Sequence, residues 1–147
     1  MLQKLYAFLA RAPALTGITL AVGNAGPAPG TAGLWCKGVT VLEQRENLLG
    51  TVRQRCRAEF TLRLCLPLPP GDSATAAENA ARLLALQTWV AAECAAGRAP
   101  VFGNADPARE TLRAEQGKLE RAAAGGTAAY SLRIRAEYTQ LYTEETP

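Results

Sequence analysis

The side chains of this sequence best placed to do chemistry are arginines on a strand. Between Thr51 and Leu66, Arg53, Arg55, Arg57 and Arg63 share one parity with Thr51, Glu59 and Thr61. Val52, Cys56, Ala58, Phe60, Leu62, Leu64 and Leu66 hold the other. Side chains on a strand alternate between its faces, so a guanidinium row backs an apolar row. The pattern returns where Ala128, Tyr130, Leu132, Ile134, Ala136, Tyr138 and Tyr142 alternate with Ser131, Arg133, Arg135, Glu137 and Thr139. As neighbours, the two strands place Arg53, Arg55, Arg57, Arg63, Arg133 and Arg135 on one face with Glu59 and Glu137. A guanidinium is a planar fork of donors, so this candidate interaction face suits phosphate or an acidic protein. The competing expectation is a solvated face whose arginines pair across strands with glutamates and shield the sheet from aggregation. The row lacks the interleaved exposed aromatics of a single-strand nucleic-acid platform, which favours the solvated face.

Other chemistries find less support. The sequence contains no histidine, which removes the commonest metal ligand and the usual acid-base group near neutral pH. Serine-histidine and cysteine-histidine nucleophile systems are thereby excluded, while lysine or carboxylate chemistry stays formally open. Glu43, Glu46, Glu78, Glu93, Glu110, Glu115 and Glu120 are dispersed over many elements, so paired-carboxylate catalysis has no local basis. Cys36, Cys56, Cys65 and Cys94 include no pair at zinc-site spacing and read as reduced, mostly buried thiols. The glycine-rich stretch 23–33 matches neither GxGxxG nor GxxxxGK[ST] and precedes no helix start, so it reads as a flexible linker loop. No catalytic residue, cofactor or metal site is expected. The formal charge of +3, from 16 basic and 13 acidic residues, cannot by itself argue for nucleic-acid binding.

The elements that must carry the arginine row follow from periodicity. At 147 residues the chain suits a single domain, 1–147, burying roughly 70% of the surface its unfolded form exposes. Leu2, Leu5, Tyr6 and Leu9 predict a short amphipathic helix over 2–11, and Ile18–Val22 a short strand. Residues 34–45 are weakly extended, and 46–50 can turn them back into the long strand as a hairpin. Pro67 to Asp72 ends that strand. A helix over 74–96 follows, capped by Asp72 or Ser73 and closed by Gly97. Its stripe of Leu83, Leu86, Val90 and Cys94 should lie across the apolar row with Phe60, Leu62 and Leu64, bordered by Trp89 as a core anchor. Beyond a loop over 98–107, with Val101–Phe102 as a buried-looking pair, Gly117 predicts a bulge or turn between two short strands within 111–121. Ala124 to Thr127 then leads into the last strand. The expected class is α+β: an antiparallel sheet with long strands, one face covered by the long helix and a short N-terminal helix. The first apolar run is broken by Gln3 and Lys4, so it suits neither a secretory signal nor a membrane span, and an intracellular, reducing setting is expected.

Taken in order, the segments Arg55–Leu64, Leu83–Val90, Ala99–Asn104, Ala114–Arg121 and Tyr130–Tyr142 resemble the tail terminator, or minor structural ("minor capsid"-type), proteins of tailed phages and prophages of Gram-positive bacteria. The likeness covers about residues 33 to 145. It implies an α+β subunit that closes into a ring, typically a hexamer, capping the tail tube at its head-proximal end and joining it to the head connector. The implied partners are further copies of the chain, the tail tube protein and head–tail connector proteins. DNA would pass through the lumen without sequence-specific binding, and no membrane is involved. The implied location is the virion tail, after assembly in the bacterial host cytoplasm. The resemblance supplies no catalytic residue. The residues themselves leave open a second function, a basic-sheet module binding nucleic acid or an acidic protein, and more remotely an enzyme.

Overall fold

Hydrophobic alternation is realised as one five-stranded sheet. The computed structural model describes residues 1–23, 26, 28–122 and 125–143. Its strands are β1 (Thr19–Val22), β2 (Thr31–Glu46), β3 (Val52–Pro67), β4 (Thr111–Ala122) and β5 (Thr127–Tyr142), arranged in the order β1-β2-β3-β5-β4. Helices α1 (Leu2–Leu9) and α2 (Ser73–Ala95) cover the apolar face, and short 3₁₀ turns occupy Pro13–Leu15 and Pro107–Arg109. The fold is α+β, with an antiparallel sheet except at one edge. There β1 runs parallel to β2, with Thr19 beside Thr31 and Val22 beside Leu34.

That edge corrects the expected extent of the glycine-rich loop. Thr31, Ala32 and Gly33 already belong to β2, opposite Cys65, Leu64 and Arg63, and Ala32 is buried. The link between β1 and β2 therefore spans only 23–30, shorter than the helix-bearing crossover that usually joins parallel neighbours. Glycine makes this possible at both ends. Gly23 and Gly30 adopt φ of +100° and +83°, and their N–H groups donate to Leu34 O and Cys65 O. Asn24, Ala25 and Pro27 of the expected loop, and Ala124 of the expected lead-in to the last strand, lie outside the described residues.

The core forms where the alternating rows meet the helices. Ala58, Phe60, Leu62, Leu64 and Leu66 of β3 pack with Leu132, Ile134 and Ala136 of β5, beneath Leu5, Phe8 and Leu9 of α1 and Leu83, Leu86 and Val90 of α2. Phe8 stacks on Trp89 at 4.7 Å between ring centroids, so Trp89 joins the two helices as an anchor. Asp72 caps α2 by accepting from the Thr75 N–H at 2.9 Å and its hydroxyl at 2.7 Å, which holds the carboxyl below the usual range. Two polar residues join the buried face of α2 unannounced by its apolar stripe. Asn79 donates to Pro67 O and Tyr130 Oη, and Glu93 accepts two bonds from Arg98, which lower its pKa.

Two local expectations change. Residues 111–122 form one strand with a bulge, since the register with β5 slips between Glu115 and Lys118 and Gln116 takes φ +57°. A Cβ on Gly117 would stand 3.3 Å from Leu83 Cβ and 2.8 Å from Gln87 Oε1, so the glycine lets α2 approach β4. The Val101–Phe102 pair divides. Val101 is exposed, while Phe102 packs near Phe60 and Tyr138, with ring centroids at 6.4 and 6.3 Å. Of the cysteines only Cys56 is buried, whereas Cys36 is exposed and Cys65 and Cys94 are intermediate, so the thiols are not mostly buried as expected. Among the described residues no helix is long and apolar enough to cross a membrane.

Candidate interaction face

Because β3 and β5 are neighbours, their polar rows interleave. Arg57 stands opposite Glu137, Glu59 opposite Arg135, Thr61 opposite Arg133, and Arg63 opposite Ser131. Ion pairs run across this ladder, from Arg57 to Glu137 at 3.9 Å, from Arg133 and Arg135 to Glu59 at 3.8 and 3.6 Å, and from Arg135 to Glu115 of β4 at 3.5 Å. The side chains involved are only 25% to 35% exposed, although no helix covers them. The ladder is thus partly, not fully, solvated. Arg57 Nε, Arg135 Nε and Glu115 Oε1 are buried without a hydrogen-bond partner, so attraction here is coulombic more than hydrogen-bonded.

The two arginines nearest the hairpin turn have a different task. Arg53 pairs with Asp106, and Arg55 donates to Arg109 O at 2.9 Å and Thr139 Oγ1 at 3.2 Å. Both strap the 102–110 segment to the end of the sheet. Asn104 completes the strap by acting as a surrogate strand residue, donating to Leu141 O at 3.0 Å and accepting from Leu141 N–H at 2.7 Å. Glu110 accepts from the N–H groups of Phe102 and Gly103 at 2.8 and 3.2 Å. Thus the six predicted arginines share a sheet face but not a role. Arg63 alone of them has no carboxylate or carbonyl partner among the described residues. Trp35 of β2, half-buried opposite Thr61, also belongs to this face, so an aromatic accompanies the arginines after all.

On the opposite face of the same sheet end, burial pushes the Tyr138 phenol up to about 12, with the nearby Cys56 thiol adding to the shift. The Cys56 thiol is itself raised by burial, against the lowering influence of Arg55. These groups are held in their neutral forms near neutral pH. Among the described residues no cluster of three or more potential metal-ligating side chains is present.

A long open edge runs along the outer side of β2. β1 pairs with β2 only from Thr31 to Leu34, so the backbone of β2 beyond Leu34 has a sheet neighbour on one side alone. Residues 36–46 are exposed along their whole length, including Val39, Val41 and Leu42. At the end of this edge the turn presents Leu48 fully and Leu49 at 84% exposure. Asn47 fixes that turn, its Oδ1 accepting from the N–H groups of Leu49 and Thr51 at 2.9 and 3.0 Å. The signal for this surface was in the sequence: Asn47–Leu48–Leu49–Gly50 puts leucines where a hairpin turn has no interior to offer them. Comparison with protein-family models and with curated proteins finds no match, so the geometry of these edges and faces is what bears on function.

Proposed function

We propose that the chain is a non-enzymatic structural subunit of a phage or phage-derived tail, which assembles into a ring that caps the tail tube and joins it to the head connector. The observation that carries this reading is the free edge of β2 over 36–46, flanked by exposed Val39, Val41 and Leu42 and ending in the leucines of the turn. Long exposed strand edges invite pairing with another chain, and natural folds usually blunt them with charge, proline or a cover. Here the edge is long, and although Lys37, Glu43, Arg45 and Glu46 lie on it, Val39, Val41 and Leu42 are exposed among them, which suits a surface covered by a neighbour. A contact between non-equivalent surfaces of identical subunits closes into a ring when the rotation allows, leaving two different faces for two different partners.

The rival function, a basic face for nucleic acid, draws less from the same geometry. Arg57, Arg133 and Arg135 are engaged with glutamates, and Arg53 and Arg55 are committed to the strap. The mass of the purified chain, alone and with tail tube protein, tests the proposal by sedimentation or native mass spectrometry. A closed ring of identical chains is expected, together with duplex DNA affinity weaker than about 10⁻⁶ M at physiological salt. A chain that stays monomeric even with the tube protein present refutes the ring, and tighter DNA binding favours the rival.

A further inference from the structure

The leucine tip and one groove on the same chain are complementary. The groove lies between the Pro13–Leu15 turn and α2, has a volume of about 520 Å³, and is lined by Pro13, Ala14, Leu84, Ala85, Trp89 and Ala92 among others, none of them charged. Leu84 is 64% exposed within it, while the stack of Trp89 on Phe8 fixes its floor. The alanines leave room that a larger side chain can fill. At its rim, Arg82 donates to Ala14 O at 3.0 Å and has no carboxylate partner among the described residues. The tip has the converse character. Leu48 and Leu49 project from a turn already rigid through Asn47, and the adjoining Glu46 has no cationic partner among the described residues. A preorganised turn loses little freedom on docking.

We infer that the Leu48–Leu49 tip of one copy seats in the groove between the Pro13–Leu15 turn and α2 of a second copy, with Glu46 of the tip meeting Arg82 of the groove. The inference rests on the proposed self-assembly and identifies the surfaces that perform it. Tip and groove are different surfaces, so the contact is heterologous and each copy can give one tip and receive another. The apolar pair supplies the anchor and the charge pair sets orientation at the rim.

Full-length variants test this by mass and by mixing. The tip variant Leu48→Asp/Leu49→Asp and the groove variant Leu84→Asp change exposed residues, so both should keep the circular dichroism and melting behaviour of the wild type. Each alone should assemble at least about tenfold more weakly than wild type. Mixed in equal amounts, they should form a species of two chains and no larger, because the groove variant retains a sound tip and the tip variant a sound groove. Arg82→Glu should weaken assembly, and Glu46→Arg in the same chain should restore it. Variants that assemble like the wild type overturn the tip-in-groove contact and leave the ring standing. A mixture that remains two monomers also overturns it, and makes an apolar segment of another protein the occupant of the tip. A wild type still monomeric at about 1 mM, alone and with tube protein, overturns the assembly reading together with the contact.

Discussion

Replacing Gly103 by alanine strikes the place where the 102–110 strap touches the sheet. A Cβ there would stand 2.1 Å from Thr139 O, 2.9 Å from Thr139 C and 3.1 Å from Thr139 N. All three atoms are backbone of β5, which is held by β3 on its other side, so the strand cannot yield and the strap must retreat by on the order of 1 Å. Retreat breaks the two bonds between Asn104 and Leu141, each contributing roughly 0.5 to 1.5 kcal/mol, and loosens Phe102 from its place near Phe60 and Tyr138. Together with the usual 1 to 3 kcal/mol for forcing extra volume into a packed site, these effects overlap to a loss of about 2 to 4 kcal/mol. Urea unfolding should show a lower midpoint at unchanged slope. Amide exchange should show Leu141 losing protection while the β3–β5 centre keeps it. Gly125→Ala is the matched control, because nothing lies within 4 Å of its Cβ position, and its effect should stay within about 0.5 kcal/mol. A Gly103→Ala protein as stable as that control, with Leu141 still protected, would refute the close approach and the strap built on it.

Two further outcomes probe the interior. Phe60 is fully buried on the apolar row of β3, so Phe60→Ala should cost about 3 to 5 kcal/mol in unfolding experiments, and a loss below about 1 kcal/mol would contradict the packing of helices over that row. Tyr138 should ionise at about 12 instead of 10.0. With its folded pKa raised, its stabilising contribution is fully present below about pH 10 and is lost as pH rises through about 12. Ultraviolet titration should show a late step absent from Tyr138→Phe, and complete ionisation near pH 10 in a folded protein would exclude the burial of its hydroxyl.

Where one face of an element is apolar and the other polar, the sequence predicts it closely. β3 and β5 carry period-two rows over most of their length and form where alternation places them, and α2 begins at Asp72 and stops before Gly97 as its cap chemistry dictates. Legibility fails where position depends on what another segment brings. Thr31 to Gly33 look like linker because their composition is small and polar, yet β1 and β3 supply ladders on both sides. Arg53 and Arg55 look like the rest of their row, since alternation assigns a face and not a partner. Only the return of the chain past Asp106 and Arg109 gives them their task.

Leu48 and Leu49 are the opposite case, in which local rules suffice and the physical consequence lies elsewhere. Asn47 and Gly50 make a turn from local hydrogen bonds and a φ of +81°, and the two residues between them could be almost anything polar without harm to the hairpin. Leucine there adds nothing to the folded chain, since neither side chain reaches its core. The same holds along the edge of β2, where Val39 and Val41 flank a backbone with hydrogen-bonding groups to spare. In the proposed assembly a second copy accounts for the turn and the groove together, because the surface that lacks a cover and the surface that lacks an occupant are parts of one chain.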